Sequence, residues 1–228
     1  MNKKLVIITG ASSGIGAAIA KVFSDAGYSL GLLARNLKAM KEFNLPNTLC
    51  ISVDVTDYDA FKKAIQQCEA KFGNVDCLIN NAGFAKGGEF TELDHTDHLS
   101  TVNINLQGVI NGIEAVLPGM QERKTGTIIN ISSVADRNPR PQIATYAATK
   151  AAVKSLTESL RMANAKYGIR ICNLAPAKIM TPMLIAANLD DSQIIPAEDL
   201  AKAALWMYQQ PQTICVRDLV FAPTYYEP

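Results

Sequence analysis

The chain has 228 residues, 48% of them hydrophobic, which is ample for one packed core. Its 22 Lys and Arg balance 21 Asp and Glu with no long run of either sign, so the charge pattern gives no reason to expect a nucleic acid or an anionic membrane as partner and points to a small-molecule ligand. Five scattered cysteines at 50, 68, 77, 172 and 215, without a Cys-x-x-Cys pair, suit a reducing, cytoplasmic location rather than a disulfide frame or a zinc site. The apolar run after Lys3 and Lys4 is too short for a signal peptide, and no stretch approaches the roughly 20 apolar residues of a membrane span.

The first predicted strand, Leu5–Thr9, runs into a glycine-rich turn, Thr9-Gly10-Ala11-Ser12-Ser13-Gly14-Ile15-Gly16, which opens the amphipathic pattern Ile15–Ala26. Glycines allow a sharp turn and close backbone approach, and the following helix start offers free N–H groups, so the corner suits a pyrophosphate. A triphosphate P-loop would need Gly-Lys-Ser/Thr, whereas Ala17-Ala18 follows here. A purely structural turn stays open at this point.

Further strands are predicted at Ser29–Leu33, Thr48–Val53, Asp76–Asn80, Gly126–Ile131, Ile169–Leu174 and Ile214–Phe221. Helical periodicity lies between them at Asp57–Phe72, His95–Met120, Thr145–Tyr167 and Ala197–Gln209. Pro118-Gly119 should interrupt the long pattern near its end, and Gly73, Gly126 and Gly168 fall where helices should stop. The alternation predicts a single α/β domain over 1–228, with a doubly wound parallel sheet covered by helices on both faces. In such a sheet ligands lie beyond the carboxyl ends of the strands, so residues just after strands carry the functional weight.

Tyr146 and Lys150 are four apart at the start of a helical stretch and project from one face. A nearby ammonium should lower the tyrosine pKa from about 10 and fit the pair for acid–base work. An ordinary surface pair is the bland alternative. Ser132-Ser133 follow the strand ending at Ile131, where a hydroxyl could hold a carbonyl oxygen or merely form a turn. No Gly-x-Ser-x-Gly elbow supports a hydrolase. His95 and His98 are expected as exposed helix residues; their spacing could chelate a metal, but no third ligand is evident, so no metal is expected.

Taken in order, Thr-Gly-x-x-x-Gly-x-Gly at 9–16, Asn80-Asn81-Ala82-Gly83, Ser133 and Tyr146-x-x-x-Lys150 make the chain similar to the short-chain dehydrogenase/reductase family over nearly its whole length. The resemblance implies a Rossmann domain with a seven-stranded parallel sheet. It also implies an oxidoreductase that interconverts a ketone or aldehyde and an alcohol, in a homodimer or homotetramer. Its implied catalytic residues are Asn105, Ser133, Tyr146 and Lys150. Tyr146 is the proton donor, Ser133 orients the carbonyl oxygen, and Lys150 lowers the Tyr146 pKa and binds the nicotinamide ribose. Asn105, preferred over Asn103 because Gly108 follows it by three residues, holds a proton-relay water.

The cofactor side implied by the resemblance comprises Gly10, Ser12, Ser13, Gly14, Ile15 and Gly16 at the pyrophosphate and Asp54 and Val55 at the adenine. It adds Asn81, Ala82 and Gly83 beside the adenosine ribose and Pro176, Ile179 and Thr181 at the carboxamide. Asn80 would brace the sheet. Ala34 stands where an NAD-selective relative carries Asp, and Arg35 follows it, so NADP(H) is expected over NAD(H). Ala177 replaces the family's usual glycine after Pro176. A short segment at about 183–196, with a turn or two of helix in 184–188, would cover the substrate and leave an open site, unless a neighbouring subunit's tail at 223–228 completes it. A nucleotide-binding regulatory or scaffold protein on the same fold, without turnover, is the rival reading.

Overall fold

The computed structural model describes residues 3–181 and 194–226. Its strands are β1 (Leu5–Thr9), β2 (Ser29–Ala34), β3 (Thr48–Ser52), β4 (Val75–Asn80), β5 (Gly126–Ile131), β6 (Ile169–Pro176) and β7 (Asp218–Phe221). The α-helices are α1 (Gly14–Asp25), α2 (Leu37–Glu42), α3 (Tyr58–Phe72), α4 (His95–Val102), α5 (Gly108–Arg123), α6 (Ala144–Asn164) and α7 (Ala197–Gln209). The strands form one parallel sheet in the order β3-β2-β1-β4-β5-β6-β7. The order reverses between β1 and β4, the switch point at which a doubly wound sheet opens a crevice.

Strand alternation divides the core between the two faces. Val6, Ile8, Leu30, Leu32, Cys77, Ile79, Ile129, Ile131, Cys172 and Leu174 face one layer, where α1 packs on α7. Leu5, Ile7, Leu33, Leu78, Ile128, Ile169 and Ile171 face the other, with Phe61, Ile65, Val109, Ile113 and Val153 of α3, α5 and α6. Strands buried on both faces are what a parallel sheet requires. Across β4 and β5, Asn80 Nδ2 donates to Asn130 Oδ1 at 2.9 Å, and Asn130 Nδ2 donates to Thr157 Oγ1 at 2.8 Å. Asn80 thus braces the sheet and ties it to α6.

Several local expectations are corrected. The six-residue α2 has no counterpart among the predicted helices; it is capped by Asn36, whose Oδ1 accepts from Ala39 N–H at 3.1 Å. The pattern His95–Met120 is two α-helices joined by a π-helical turn, Asn103–Gln107. Pro118 does not end it: α5 continues to Arg123, because Val116 and Met120 stay buried on either side of the proline. The residue that closes α5 is Lys124 in the left-handed region at φ 53°, not Gly126. Gly73 and Gly168 do follow helix ends, at φ 90° and 68°. The last strand is shorter than expected because its ladder with β6 starts only at Asp218. Of the substrate-covering segment expected at 183–196, only 194–196 fall among the described residues, where Ile195 bridges Ile179. The proposed helix at 184–188 lies outside them.

Candidate active site

The loops after β1 and β4 are stitched together at the switch point. Thr9 Oγ1 accepts from the N–H groups of Asn81 and Ala82 at 2.9 and 3.0 Å, and Asn81 Nδ2 donates to the carbonyls of Thr9 and Gly10 at 3.0 and 3.3 Å. Gly10 takes φ +64°, and a Cβ there would lie 2.8 Å from Ala82 Cα, so both conformation and space demand glycine. At Gly16 a Cβ would meet the Gly10 carbonyl oxygen and approach Asn81 Nδ2 to 2.6 Å. Gly16 therefore seats α1 against the loop. Ser13, the N-cap of α1, makes no side-chain cap bond, which leaves the first-turn N–H groups available to an anion.

A cleft of about 450 Å³ opens over this corner. It is bordered by Gly10, Ser12, Ser13, Gly14 and Ile15 from the first loop, and by Arg35, Asp54 and Val55 from the ends of β2 and β3. Asn81, Ala82 and Gly83 follow β4, and Tyr146, Lys150, Pro176 and Thr181 complete the far side. Gly16, Ile179, Ser133 and Asn105 do not border it. Ile179 is buried in its bridge to Ile195. Ala34 also lines the cleft, as do Asn36, Phe84 and Ile104, which escaped the sequence reading.

Asn105 sits in the π-helical turn, wholly buried. Both ends of its side chain are engaged: Oδ1 accepts from Phe84 N–H at 2.7 Å, while Nδ2 donates to Phe84 O at 2.8 Å and Thr149 Oγ1 at 3.2 Å. The side chain thereby fixes the loop after β4, and a π-turn is a recurrent device for such displaced residues.

Tyr146 and Lys150 stand on the first turns of α6, with Lys150 Nζ 5.5 Å from the Tyr146 ring centre. Burial raises the Tyr146 pKa above its ordinary value; the Ser133 hydrogen bond lowers it, and the Asp136 charge raises it further. Lys150 donates to the Ile131 carbonyl at 2.8 Å, and burial pushes its pKa down to about 8, opposed by Asp136. In the chain alone Tyr146 is a protonated acid.

Ser133 caps the 3-10 turn Val134–Asp136, its Oγ accepting from Ala135 N–H at 3.2 Å. His98 is not a solvent-facing residue as expected. Its Nδ1 lies 2.7 Å from Thr145 Oγ1 and its ring 4.5 Å from that of Phe90, whereas His95 is exposed.

A doubly wound parallel sheet with this glycine corner at its switch point defines a Rossmann-type nucleotide-binding protein. The chain belongs to the short-chain dehydrogenase/reductase family of oxidoreductases: the family model described as short chain dehydrogenase matches residues 4–192. It is 30% identical over 227 residues to an uncharacterized oxidoreductase of Staphylococcus epidermidis, with 98% of each chain covered. It is similar to the closed form of a serine dehydrogenase complexed with NADP+ (TM-score 0.92, 26% identity, 98% and 96% covered). It also resembles a 3-oxoacyl-[acyl-carrier protein] reductase of Brucella melitensis with bound NAD (TM-score 0.88, 30% identity, 100% and 92% covered).

Proposed function

We infer that the protein is an NADP(H)-dependent oxidoreductase that interconverts a ketone or aldehyde with an alcohol, using Tyr146 as general acid and base. One observation carries this reading: a single cleft is lined at one side by Gly10 and Gly14 and at the other by Tyr146 and Lys150. The cradle suits a dinucleotide, since the Gly10 corner excludes a side chain and the start of α1 is uncapped. Gly10, Ser12, Ser13, Gly14 and Ile15 would hold the pyrophosphate, and Asp54, Val55, Asn81, Ala82 and Gly83 the adenosine side. Pro176, Ile179 and Thr181 would hold the carboxamide, Lys150 the adjoining ribose, and Arg35 a 2′-phosphate. A relative that binds NADP+ and another that binds NAD leave this last choice to Arg35, with Ala34 beside it in place of an acid.

Bound there, the nicotinamide supplies a hydride to the carbonyl carbon. Tyr146, kept protonated by burial, gives its proton to the carbonyl oxygen, which the Ser133 hydroxyl holds in place. The Lys150 ammonium then stabilises the phenolate that remains. Asn105 acts indirectly, by holding the Phe84 backbone at the edge of the cleft.

Exposed Leu99, Val102 and Ile110 along α4 and α5 support a homodimer or homotetramer. Five free thiols fit a cytoplasmic setting, and among the described residues no helix is long and apolar enough to cross a membrane. The test is oxidation of NADPH and NADH over a panel of ketones and aldehydes, with wild type and Tyr146→Phe. Turnover that the variant loses while still binding NADPH is expected. NADPH binding without turnover of any carbonyl or alcohol would favour the regulatory reading instead.

A further inference from the structure

The serine before Ser133 leads away from the cleft into a buried polar chain. Ser132 N–H donates to the Leu174 carbonyl of β6 at 2.9 Å, and Ser132 Oγ donates to Asp136 Oδ2 at 2.7 Å. Asp136 ends the 3-10 turn that Ser133 begins, and its N–H donates to the Ser133 carbonyl at 2.8 Å. The Asp136 carboxylate is wholly shielded from solvent yet accepts from Asn173 Nδ2 at 3.0 Å and from Arg137 Nε and Nη2 at 2.6 and 3.1 Å. Arg137 Nη2 also donates at 2.9 Å to Asp218 of the edge strand β7, which accepts from Asn173 Nδ2 and has Lys154 Nζ 3.9 Å away. A buried carboxylate is tolerated only when paired and fully hydrogen-bonded, and this one is both.

We propose that Asp136 and Arg137 are positioning residues: together they clamp the Ser133 turn to β6 and β7, and their balance of charge sets the field felt by Tyr146 and Lys150. This rests on the reading of Tyr146 as the acid and base. The groups acting on Tyr146 are the Ser133 hydroxyl, Lys150 on its own helix and Asp136 from the turn. Those facing Asp136 are Ser132, Asn173 and Arg137, with Asp218 and Lys154 beyond. Asp136 favours the protonated form of Tyr146, and the Arg137 guanidinium compensates its charge. Neutralising Asp136 therefore eases loss of the Tyr146 proton. Removing Arg137 leaves the carboxylate uncompensated and does the opposite. A mere strut would weaken both variants without moving them in opposite directions.

The experiment is the pH dependence of alcohol oxidation, which needs the phenolate, in wild type, Asp136→Asn, Arg137→Met and Arg137→Lys. The rising limb should move down by about half to one pH unit in Asp136→Asn and up by a similar amount in Arg137→Met, with Arg137→Lys close to wild type. Phenolate absorbance gives a readout without turnover: each background is titrated against its own Tyr146→Phe partner, and Asp136→Asn should show the lower midpoint. Shifts in one direction only, unmoved limbs, or equal midpoints in Asp136→Asn and wild type overturn the proposal. If Asp136→Asn fails to fold, Arg137→Met decides, because its side chain is a quarter exposed. Failure of the functional reading looks different: wild type then turns over nothing, or Tyr146→Phe keeps full turnover.

Discussion

Asn105 grips the backbone of Phe84 with both ends of its amide, accepting the N–H at 2.7 Å and donating to the carbonyl at 2.8 Å from a wholly buried position. The π-helical turn Asn103–Gln107 places it there, and the grip holds the loop that carries Gly83 into the cleft. Asn105→Ala leaves two backbone groups without partners, at about 1–3 kcal/mol for each that stays buried. A drop in melting temperature of several degrees is expected, together with weaker NADPH binding. Asn105→Asp should not rescue, because a carboxylate cannot donate to the Phe84 carbonyl. Thermal melts and a fluorescence titration of NADPH check both points; an unchanged melt in either variant would count against the grip.

Lys150 makes stability depend on alkaline pH in a calculable direction. Its folded value, about 8, lies below the ordinary 10.5 because burial penalises the ammonium. Below pH 8 both folded and unfolded chains hold the proton, so the burial cost is present in full. Between 8 and 10.5 only the unfolded chain keeps it, and stability rises with pH. The gap corresponds to roughly 3 kcal/mol. Urea unfolding of wild type and Lys150→Met across this range should show the difference between them moving in favour of wild type by that order, and a constant difference would refute it.

Arg35 is the test of cofactor choice. It is exposed at the rim, so its pairing with a 2′-phosphate is worth about one to two powers of ten in affinity, as for a hydrogen bond to a charged group. Arg35→Ala should raise the Kd for NADPH by that factor and leave NADH nearly unchanged. Adding Ala34→Asp should reverse the preference, since an acid accepts from the 2′-hydroxyl and repels the phosphate. Equal losses for both cofactors would show that Arg35 does not read the phosphate.

Two glycines separate packing from conformation. A methyl group at Gly16 collides with the Gly10 carbonyl and Asn81, both held in the stitched loops, whereas one at Gly27 meets nothing within 4 Å despite φ +87°. Gly16→Ala should cost about 1–3 kcal/mol and impair NADPH binding. Gly27→Ala should cost only the backbone penalty of about 1–2 kcal/mol and leave binding intact. Calorimetric titration of both variants distinguishes them.

The sequence by itself determined the sheet and the motifs that line the cleft. Strand cores such as Leu5–Thr9 and Gly126–Ile131 are rich in β-branched residues and buried along their whole length, and the spacing of Gly10, Gly14, Tyr146 and Lys150 is a local pattern that can be read along the chain. The features that only the tertiary structure decided depend on partners distant in sequence. Pro118 stays helical because the core on both sides of it holds α5 together, and Asn105 turns to Phe84 because a π-turn displaces it. The burial that raises the Tyr146 pKa is a property of the whole fold and cannot be read from the neighbour four residues on. Asp136, Asn173 and Asp218 lie far apart along the chain and show no motif; the parallel pairing of β6 with β5 on one side and β7 on the other is what brings them to one polar cluster behind Ser133.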